Sequence, residues 1–575
     1  MATELIPLMT EDWSVSADLF GGNVLADWAS LDEFGSAIDD LGVTTLRYPG
    51  GSQTEYYFNI DQPDSPVAVN HVTGEVKNYI PLSDFVSYAD ENGLSVSIVI
   101  PTRTQLSEET DELGHRLPEI DEDSLRTFIR DVASGEYGSA TINAFEIGNE
   151  YWHSGNMDSV EYGRLASEMS KIIDSELNAL GADYPTANEI EIVVQMGHNH
   201  GTSVMDVDYG NLSPEDALAA INSDYDLDLD GEALYQQGGV NWTYVNNKVI
   251  MKFFDEPEDQ EAIDGVIAHV YSMGDEYEWS RSFGLANLEK TWLDEHPELS
   301  VHVTEWNQKG VTKSLDRDDD YGLFQAEEML NMLEEFVRVD VDYAQVWPLI
   351  QNTDNALNFG HTYGETNAPG AMFSMLASNL PGKQMLDFDP NSDRGTEAEF
   401  DEVNVHGFAG PDELLLYVIS DLDEGTAHTD LDLSDLLLGF EVMELTILGV
   451  ADGAQPGSND SSAVLETVDV ETAFVDGFLD VPLDPGEILQ VRVTGIQPTE
   501  ALRPYVQSDD EPDDDVFIDG PPDDDWFGLP TIPVSEEPLD APEEEDSLGF
   551  DDPGMGLEWL LALVPLLGAM MVLGS

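Results

Sequence analysis

Two glutamates stand out for the company they keep. Glu150 closes the run Phe145-Glu146-Ile147-Gly148-Asn149-Glu150-Tyr151-Trp152, and Glu305 sits within Val303-Thr304-Glu305-Trp306-Asn307. Each follows a short apolar, β-branched run of the kind that forms a buried strand. Two carboxylates delivered into one cavity are what cleavage of a glycosidic bond requires. One protonates the leaving oxygen, and the other attacks the anomeric carbon or activates a water that does so. Asn149 beside Glu150 can hold a sugar hydroxyl. Arg47, at the end of another apolar run, can keep one carboxylate ionised. Tyr271 can donate to the attacking carboxylate and orient it, with His269 two residues before it. Trp347 offers an aromatic face suited to the apolar side of a sugar ring. Each has a plainer reading when taken alone: Arg47 as a structural ion pair, His269 as a core imidazole, Trp347 as packing. The weight lies in the set, because five different strands present it at the same end.

The elements that must position these residues alternate. Apolar runs predict strands at 13–20, 44–48, 95–100, 142–147, 191–196, 265–270, 301–304 and 343–348. Helical periodicity fits between most of them, at 82–92, 124–133, 159–180 and 324–337. Strands alternating with helices predict a parallel sheet. Eight such units predict an α/β fold, a closed (β/α)8 TIM barrel over residues 1–380, whose active site lies at the C-terminal strand ends. A doubly wound open sheet is the rival, but no Gly-rich phosphate loop follows the first strand.

From 381 to 496 alternating segments between Gly, Asp and Pro turns predict an antiparallel β-sandwich. Residues 497–554 are acidic and Pro-rich and predict a disordered, self-repelling linker. Residues 555–575 form a hydrophobic tail, uncharged from Trp559 onward, at the short edge of what spans a bilayer. It reads as a membrane or surface attachment, part of a C-terminal export signal, or a segment that docks on protein. Between the fifth and sixth strands an insertion carries Asp226-Leu-Asp228-Leu-Asp230-Gly231, the first half of a calcium loop, but Gln237 stands where a bidentate Glu belongs. A structural calcium ion and an acidic surface loop both fit. The chemistry itself needs no metal and no cofactor.

Composition excludes several classes. The chain carries 118 Asp and Glu against 20 Lys and Arg, a net charge of −98. Such a field repels nucleic acid and anionic membranes. It suits a protein kept soluble in high salt, where screening shortens self-repulsion. With no cysteine, disulfide and thiolate chemistry are excluded. The N-terminus has neither a basic stretch nor a long apolar stretch, so no Sec-type signal is read. An extracellular or cell-surface location by another export route is the expectation, with the cytoplasm the alternative.

The strand ends also carry a family resemblance. Leu46-Arg47-Tyr48-Pro49-Gly50-Gly51, Ile147-Gly148-Asn149-Glu150, Ala268-His269-Val270-Tyr271, Thr304-Glu305-Trp306-Asn307 and Ala344-Gln345 occur in the order found in clan A glycoside hydrolases. Within that clan the chain most resembles family 51, the α-L-arabinofuranosidase type, with families 39 and 79 as neighbours. The resemblance implies a retaining glycosidase acting on a plant or algal-type carbohydrate. It implies Glu150 as acid/base, Glu305 as nucleophile, Asn149 at the sugar 2-hydroxyl, and Arg47 and Tyr271 as supports of the nucleophile. Two departures bear on specificity: Tyr151-Trp152-His153 replaces the family's Met-Asp-Gly, and Thr304 replaces its Asp. The competing readings are a glycan-binding protein on a degenerate barrel and a calcium-dependent surface protein.

Overall fold

A computed structural model describes residues 5–7, 13–310, 314–359, 366–388, 395–422 and 424–506. The acidic segment from 507 onward and the apolar tail lie outside the described residues. Among the described residues, no helix is long and apolar enough to cross a membrane.

Eight parallel strands close into a barrel: β1 (Gly21–Asn23), β2 (Thr45–Tyr48), β3 (Ser95–Ile100), β4 (Ile142–Ile147), β5 (Glu191–Gln195), β6 (Gly265–Ser272), β7 (Ser300–Gln308) and β8 (Tyr343–Val346). Each pairs with its neighbours in sequence, and β1 pairs with β8 to complete the ring. These strands are covered on both faces and therefore read as continuous apolar runs rather than alternating ones. The helices Leu82–Asn92, Glu122–Ala133, Ser159–Leu180 and Leu323–Arg338 lie where periodicity predicts them, within two residues at their ends. Asp158 and Glu161 form a reciprocal capping box at the start of the longest, worth about 1 kcal/mol for the cap.

The first strand differs from expectation. Residues 13–20 do not enter the barrel: Trp13 and Ser14 run beside Gln384 and Met385, and Ala17–Leu19 is a 3-10 turn capped by Ser16. The strand is Gly21-Gly22-Asn23 instead. The barrel wall there leaves no room for side chains. A Cβ on Gly21 would lie 2.3 Å from Thr45 Oγ1, and one on Gly22 2.5 Å from Leu349. The apolar residues Val15, Leu19 and Phe20 pack into the core beside the strand without belonging to it.

The insertion after β5 builds its own small core, with Ala217, Leu218 and Ile221 of Pro214–Tyr225 packed on Tyr244, Val245 and Val249 of Trp242–Met251. Asp226, Asp228 and Asp230 do not converge into a ligand cluster. Asp226 is the left-handed C-cap of one helix, with φ 55°, and Asp230 caps the following turn. The Asp spacing reflects helix termination, where Asp tolerates αL geometry and accepts from backbone N–H groups.

After the barrel comes a seven-stranded antiparallel sheet. Its main order is Gln384–Leu386, Val403–Gly410, Glu413–Ser420, Ile488–Thr494, Val442–Val450, Ala463–Thr467. Leu415, Tyr417 and Ile419 face the barrel core, while Leu414, Leu416 and Val418 meet Leu431, Leu479 and Leu483 of small covering sheets. The period of two thus serves two cores. Packing continues past the predicted boundary at 496. Gln497–Pro498 pairs with Leu437–Gly439, and Leu502 is fully buried, because the covering layer needs this last stretch to close over Leu436 and Leu437.

Candidate active site

The C-terminal ends of β2, β4, β6 and β7 bring Arg47, Asn149, Glu150, His269, Tyr271 and Glu305 together, and Trp347, just past β8, lies against Gly51. At the centre of this group lies Arg47, with no solvent exposure. Its Nε and Nη2 grip the two oxygens of Glu146, each at 2.7 Å. Its Nη1 donates to Glu305 Oε1 at 2.8 Å and to Asn23 Oδ1 at 3.0 Å, and Nη2 also donates to Asn149 Oδ1 at 2.8 Å. Burial works against a guanidinium, but Glu146 and Glu305 outweigh it and hold Arg47 firmly charged.

A bulge in β7 makes this possible. Val303 to Trp306 on β7 spans three steps where Ala344 to Val346 on β8 spans two. The extra residue lets consecutive side chains reach the same interior. Thr304 Oγ1 donates to Glu146 Oε1 at 3.1 Å while Glu305 reaches Arg47. A regular strand would send these two to opposite faces. The hydroxyl at 304 therefore serves the Arg47–Glu146 pair. The second oxygen of Glu305 accepts from Tyr271 Oη at 2.9 Å. Burial and the neighbouring Glu305 charge keep that phenol well above its ordinary range, hence a donor.

Glu150 is held differently. Its backbone has φ 43°, in the left-handed region that costs a non-glycine residue. The loop around it is over-determined. Asn149 N donates to Glu55 Oε1 at 2.8 Å, Tyr151 N to Gln195 Oε1 at 3.1 Å, and Gly155 N to Glu150 O at 3.1 Å. Glu55 is a buried strut that also accepts from Thr102 N, Thr102 Oγ1 and Arg103 N. Burial still pushes its carboxyl above the usual range. The Glu150 carboxylate lies 3.4 Å from His269 Nδ1 and 3.6 Å from His153 Nδ1. Burial alone would raise it, but these two imidazoles hold it well below the usual carboxylate range. His269 Nδ1 is also 3.6 Å from Glu305 Oε2, and one atom of each of Glu150, His269 and Glu305 lies within 4.8 Å of the others. Burial would lower His269, but Glu305 and Glu150 raise it above the ordinary imidazole range.

Two residues play parts their types did not announce. Both ends of the Asn149 amide are engaged, Oδ1 by Arg47 and Nδ2 by Ser154 Oγ at 3.1 Å, so it belongs to the framework that aims Glu150. Trp347 is only 4% exposed, its indole lying where any Cβ on Gly51 would come within 2.4 Å. The site residues that motif reading passes over are Asn23, Glu55, Glu146, His153, Gln195, His198 and Thr304. Only Glu146 leaves a local signal: a charge inside an apolar strand demands a buried partner. The indole of Trp152, 5% exposed, stacks on His198 with centroids 4.6 Å apart and completes one wall.

No protein-family model matches this sequence, and no curated protein matches it. Solved structures share its fold. A family 51 α-L-arabinofuranosidase from Bifidobacterium longum aligns at TM-score 0.53 and 14% identity, over 84% of this chain and 96% of that one. A thermostable family 51 α-L-arabinofuranosidase from Thermotoga petrophila RKU-1 aligns at 0.51 and 15%, over 85% and 98%. The Thermotoga maritima α-L-arabinofuranosidase, in complex with arabinose, aligns at 0.50 and 15%, over 86% and 98%. The likeness covers both the barrel and the β-sandwich, so the fold agrees with the resemblance carried by the strand-end motifs.

Proposed function

We propose that the chain is a retaining glycoside hydrolase in which Glu305 is the nucleophile and Glu150 the acid/base. The observation that carries this reading is the carboxylate spacing. One oxygen of Glu150 and one of Glu305 lie within 4.8 Å of each other, and both carboxylates sit beside His269 Nδ1, at 3.4 Å and 3.6 Å. Retaining enzymes hold their carboxyls about 5–5.5 Å apart, whereas inverting ones need about 6.5–9.5 Å to admit a water. The asymmetry of support fits the two roles. Glu305 is fixed through both oxygens by Arg47 and Tyr271, as a nucleophile must be. Glu150 faces imidazoles, with which it can exchange a proton.

In the first step a Glu305 oxygen bonds to the anomeric carbon as the bond to the leaving oxygen breaks. That oxygen takes a proton from the Glu150 carboxyl, to which the adjacent imidazoles of His269 and His153 can supply it. In the second step Glu150 takes a proton from a water. The water oxygen bonds to the anomeric carbon and releases Glu305. The neighbours named arabinofuranosidases support a pentose or related glycoside as substrate. Tyr151-Trp152-His153 gives this mouth a wall of its own.

The test is hydrolysis of aryl arabinofuranoside, xyloside, glucoside and glucuronide in high-salt buffer, with Glu305→Gln and Glu150→Gln alongside. One substrate should turn over, both variants should lose at least about 100-fold, and the first-formed product should keep its anomeric configuration. Turnover that survives Glu305→Gln would sink the assignment.

A further inference from the structure

Cations are scarce in this chain, 20 Lys and Arg against 118 Asp and Glu, and most of the described ones are ion-paired. Lys77, Lys171, Lys248, Lys252 and Lys383 each hold a carboxylate, as do most of the arginines. Lys290, Lys309, Arg103 and Arg503 do not, and of these Lys309 and Arg103 follow barrel strands directly, at the end of the barrel that carries Glu150. Lys309 follows directly on β7 and is solvent-exposed, with no ion pair among the described residues. Its backbone N–H donates to Ser272 O at 2.7 Å, which holds it at the C-terminal ends of β6 and β7, on the rim of the mouth. Arg103 follows β3, donates to Ser154 O at 2.5 Å, lies 4.9 Å over the Tyr56 ring and acts on His153.

Histidines fill the space between them. His153 comes from the loop after β4, and His198 and His200 from the loop after β5. The ring centroids of His198 and His200 are 6.0 Å apart. The Nδ1 atom of His198 is buried without a hydrogen-bond partner. A buried polar nitrogen left unmatched costs free energy unless something completes it.

We propose that the substrate of this site carries an anionic group, a uronate carboxylate or a sulfate ester, received by Lys309 with His198 and His200 on the Glu150 side of the mouth. This rests on the glycosidase reading and names its substrate class. The cations are not needed to balance the catalytic carboxylates. Arg47 and Tyr271 already serve Glu305, and His153 and His269 already flank Glu150, so Lys309 is surplus to that network. An anionic glycan nearing a protein of net charge −98 is repelled everywhere else, so a local patch of donors is what admits it.

The full chain in high-salt buffer provides the test, in two arms. In the first, the wild type is offered matched 4-methylumbelliferyl glucoside, glucuronide and glucoside-6-sulfate, and arabinofuranoside. In the second, binding by Glu305→Gln is measured to oligogalacturonate and alginate oligomers, sulfated carrageenan oligosaccharides, and neutral xylo- and arabino-oligosaccharides. An anionic ligand should be preferred by at least about tenfold in kcat/KM or Kd. Lys309→Gln should remove most of that preference through KM, whereas Lys290→Gln, beside Glu289, should leave it. The uronate and sulfate arms tell the two anions apart. Equal or better use of neutral sugars, or a preference indifferent to Lys309→Gln, overturns the proposal while leaving the glycosidase reading intact. Anionic binding without turnover sinks the glycosidase reading and keeps this one. No binding and no turnover of any glycan overturns both.

Discussion

Arg47 and Glu146 meet through two parallel hydrogen bonds of 2.7 Å, Nε to Oε2 and Nη2 to Oε1, with neither side chain exposed. The pair crosses the barrel from β2 to β4 and leaves Nη1 free to reach Glu305. A bidentate fork fixes the guanidinium plane, which a single contact would not do. The direction of the Glu305 carboxylate is thus set by a residue with no solvent exposure.

Removing one member strands the other. Arg47→Met should lower the unfolding free energy by about 3–5 kcal/mol, the usual cost of an unpaired buried charge. Arg47→Met combined with Glu146→Gln should cost less than the sum of the two single changes, because the paired charges leave together. Arg47→Lys keeps the charge but loses the fork, so its activity should fall by a larger factor than its stability accounts for. Urea titration of the wild type and the four variants with parallel kinetics checks this; strict additivity would refute the coupling.

Tyr271 touches the nucleophile directly, at 2.9 Å from Glu305 Oε2. Tyr271→Phe removes one hydrogen bond to a charged group and little else. A bond of that kind is worth about 1.5–3 kcal/mol, so kcat/KM should fall about 10–100-fold with only a small change in melting temperature. A loss under twofold would mean the phenol does not support the reacting carboxylate.

The chain shows which parts of such a design are legible beforehand. β2 to β8 announce themselves because barrel strands buried on both faces are apolar throughout. β1 does not, since Gly21-Gly22-Asn23 has no strand propensity and is chosen by close approach to Thr45 and Leu349. Glu150, Glu305, Arg47 and Tyr271 were readable from their places at strand ends. Their framework was not. Glu55, Glu146 and Gln195 act through partners far away in sequence, and the bulge that turns Thr304 and Glu305 the same way has no signature of its own. Trp347 was legible as aromatic, but its depth against Gly51 depends on the closed barrel. The Asp226–Asp230 spacing leaves two readings open because helix caps and calcium loops use the same residue.

Charge density sets a bulk property. At net charge −98 the folded chain repels itself, and screening shortens that repulsion from about 10 Å at 0.1 M salt to about 3 Å at 1 M. The melting temperature should therefore rise from 0.1 to 2 M KCl. Sodium and potassium chloride should act alike, since the effect is one of ionic strength. A melting temperature that stays flat or falls over this range would show that self-repulsion is not what limits stability.

The barrel and sandwich are joined by a titratable contact. His406, on Val403–Gly410, lies with Nδ1 2.9 Å from Glu334 Oε1 on Leu323–Arg338 and is 1% exposed. Burial would lower its pKa, but Glu334, Glu397 and Glu327 outweigh burial and push it up to about 9, from an ordinary 6.5. A histidine raised on folding contributes stability that is fully present below pH 6.5 and is lost as pH rises through about 9. The lower window is mixed. Burial pushes Glu335 up to about 7, which makes stability fall with rising pH, whereas burial holds His198 down at about 4, which makes it rise up to pH 6.5. Above pH 6.5 the His198 contribution is constant, and His406 acts in the same direction as His115, His153 and His269, which are also raised. The melting temperature should fall steadily from pH 6.5 to 9, and His406→Gln should start lower and flatten that slope. Calorimetry of both proteins in the same high-salt buffer decides the matter: equal slopes would mean that the imidazolium at this contact does not hold the two domains together.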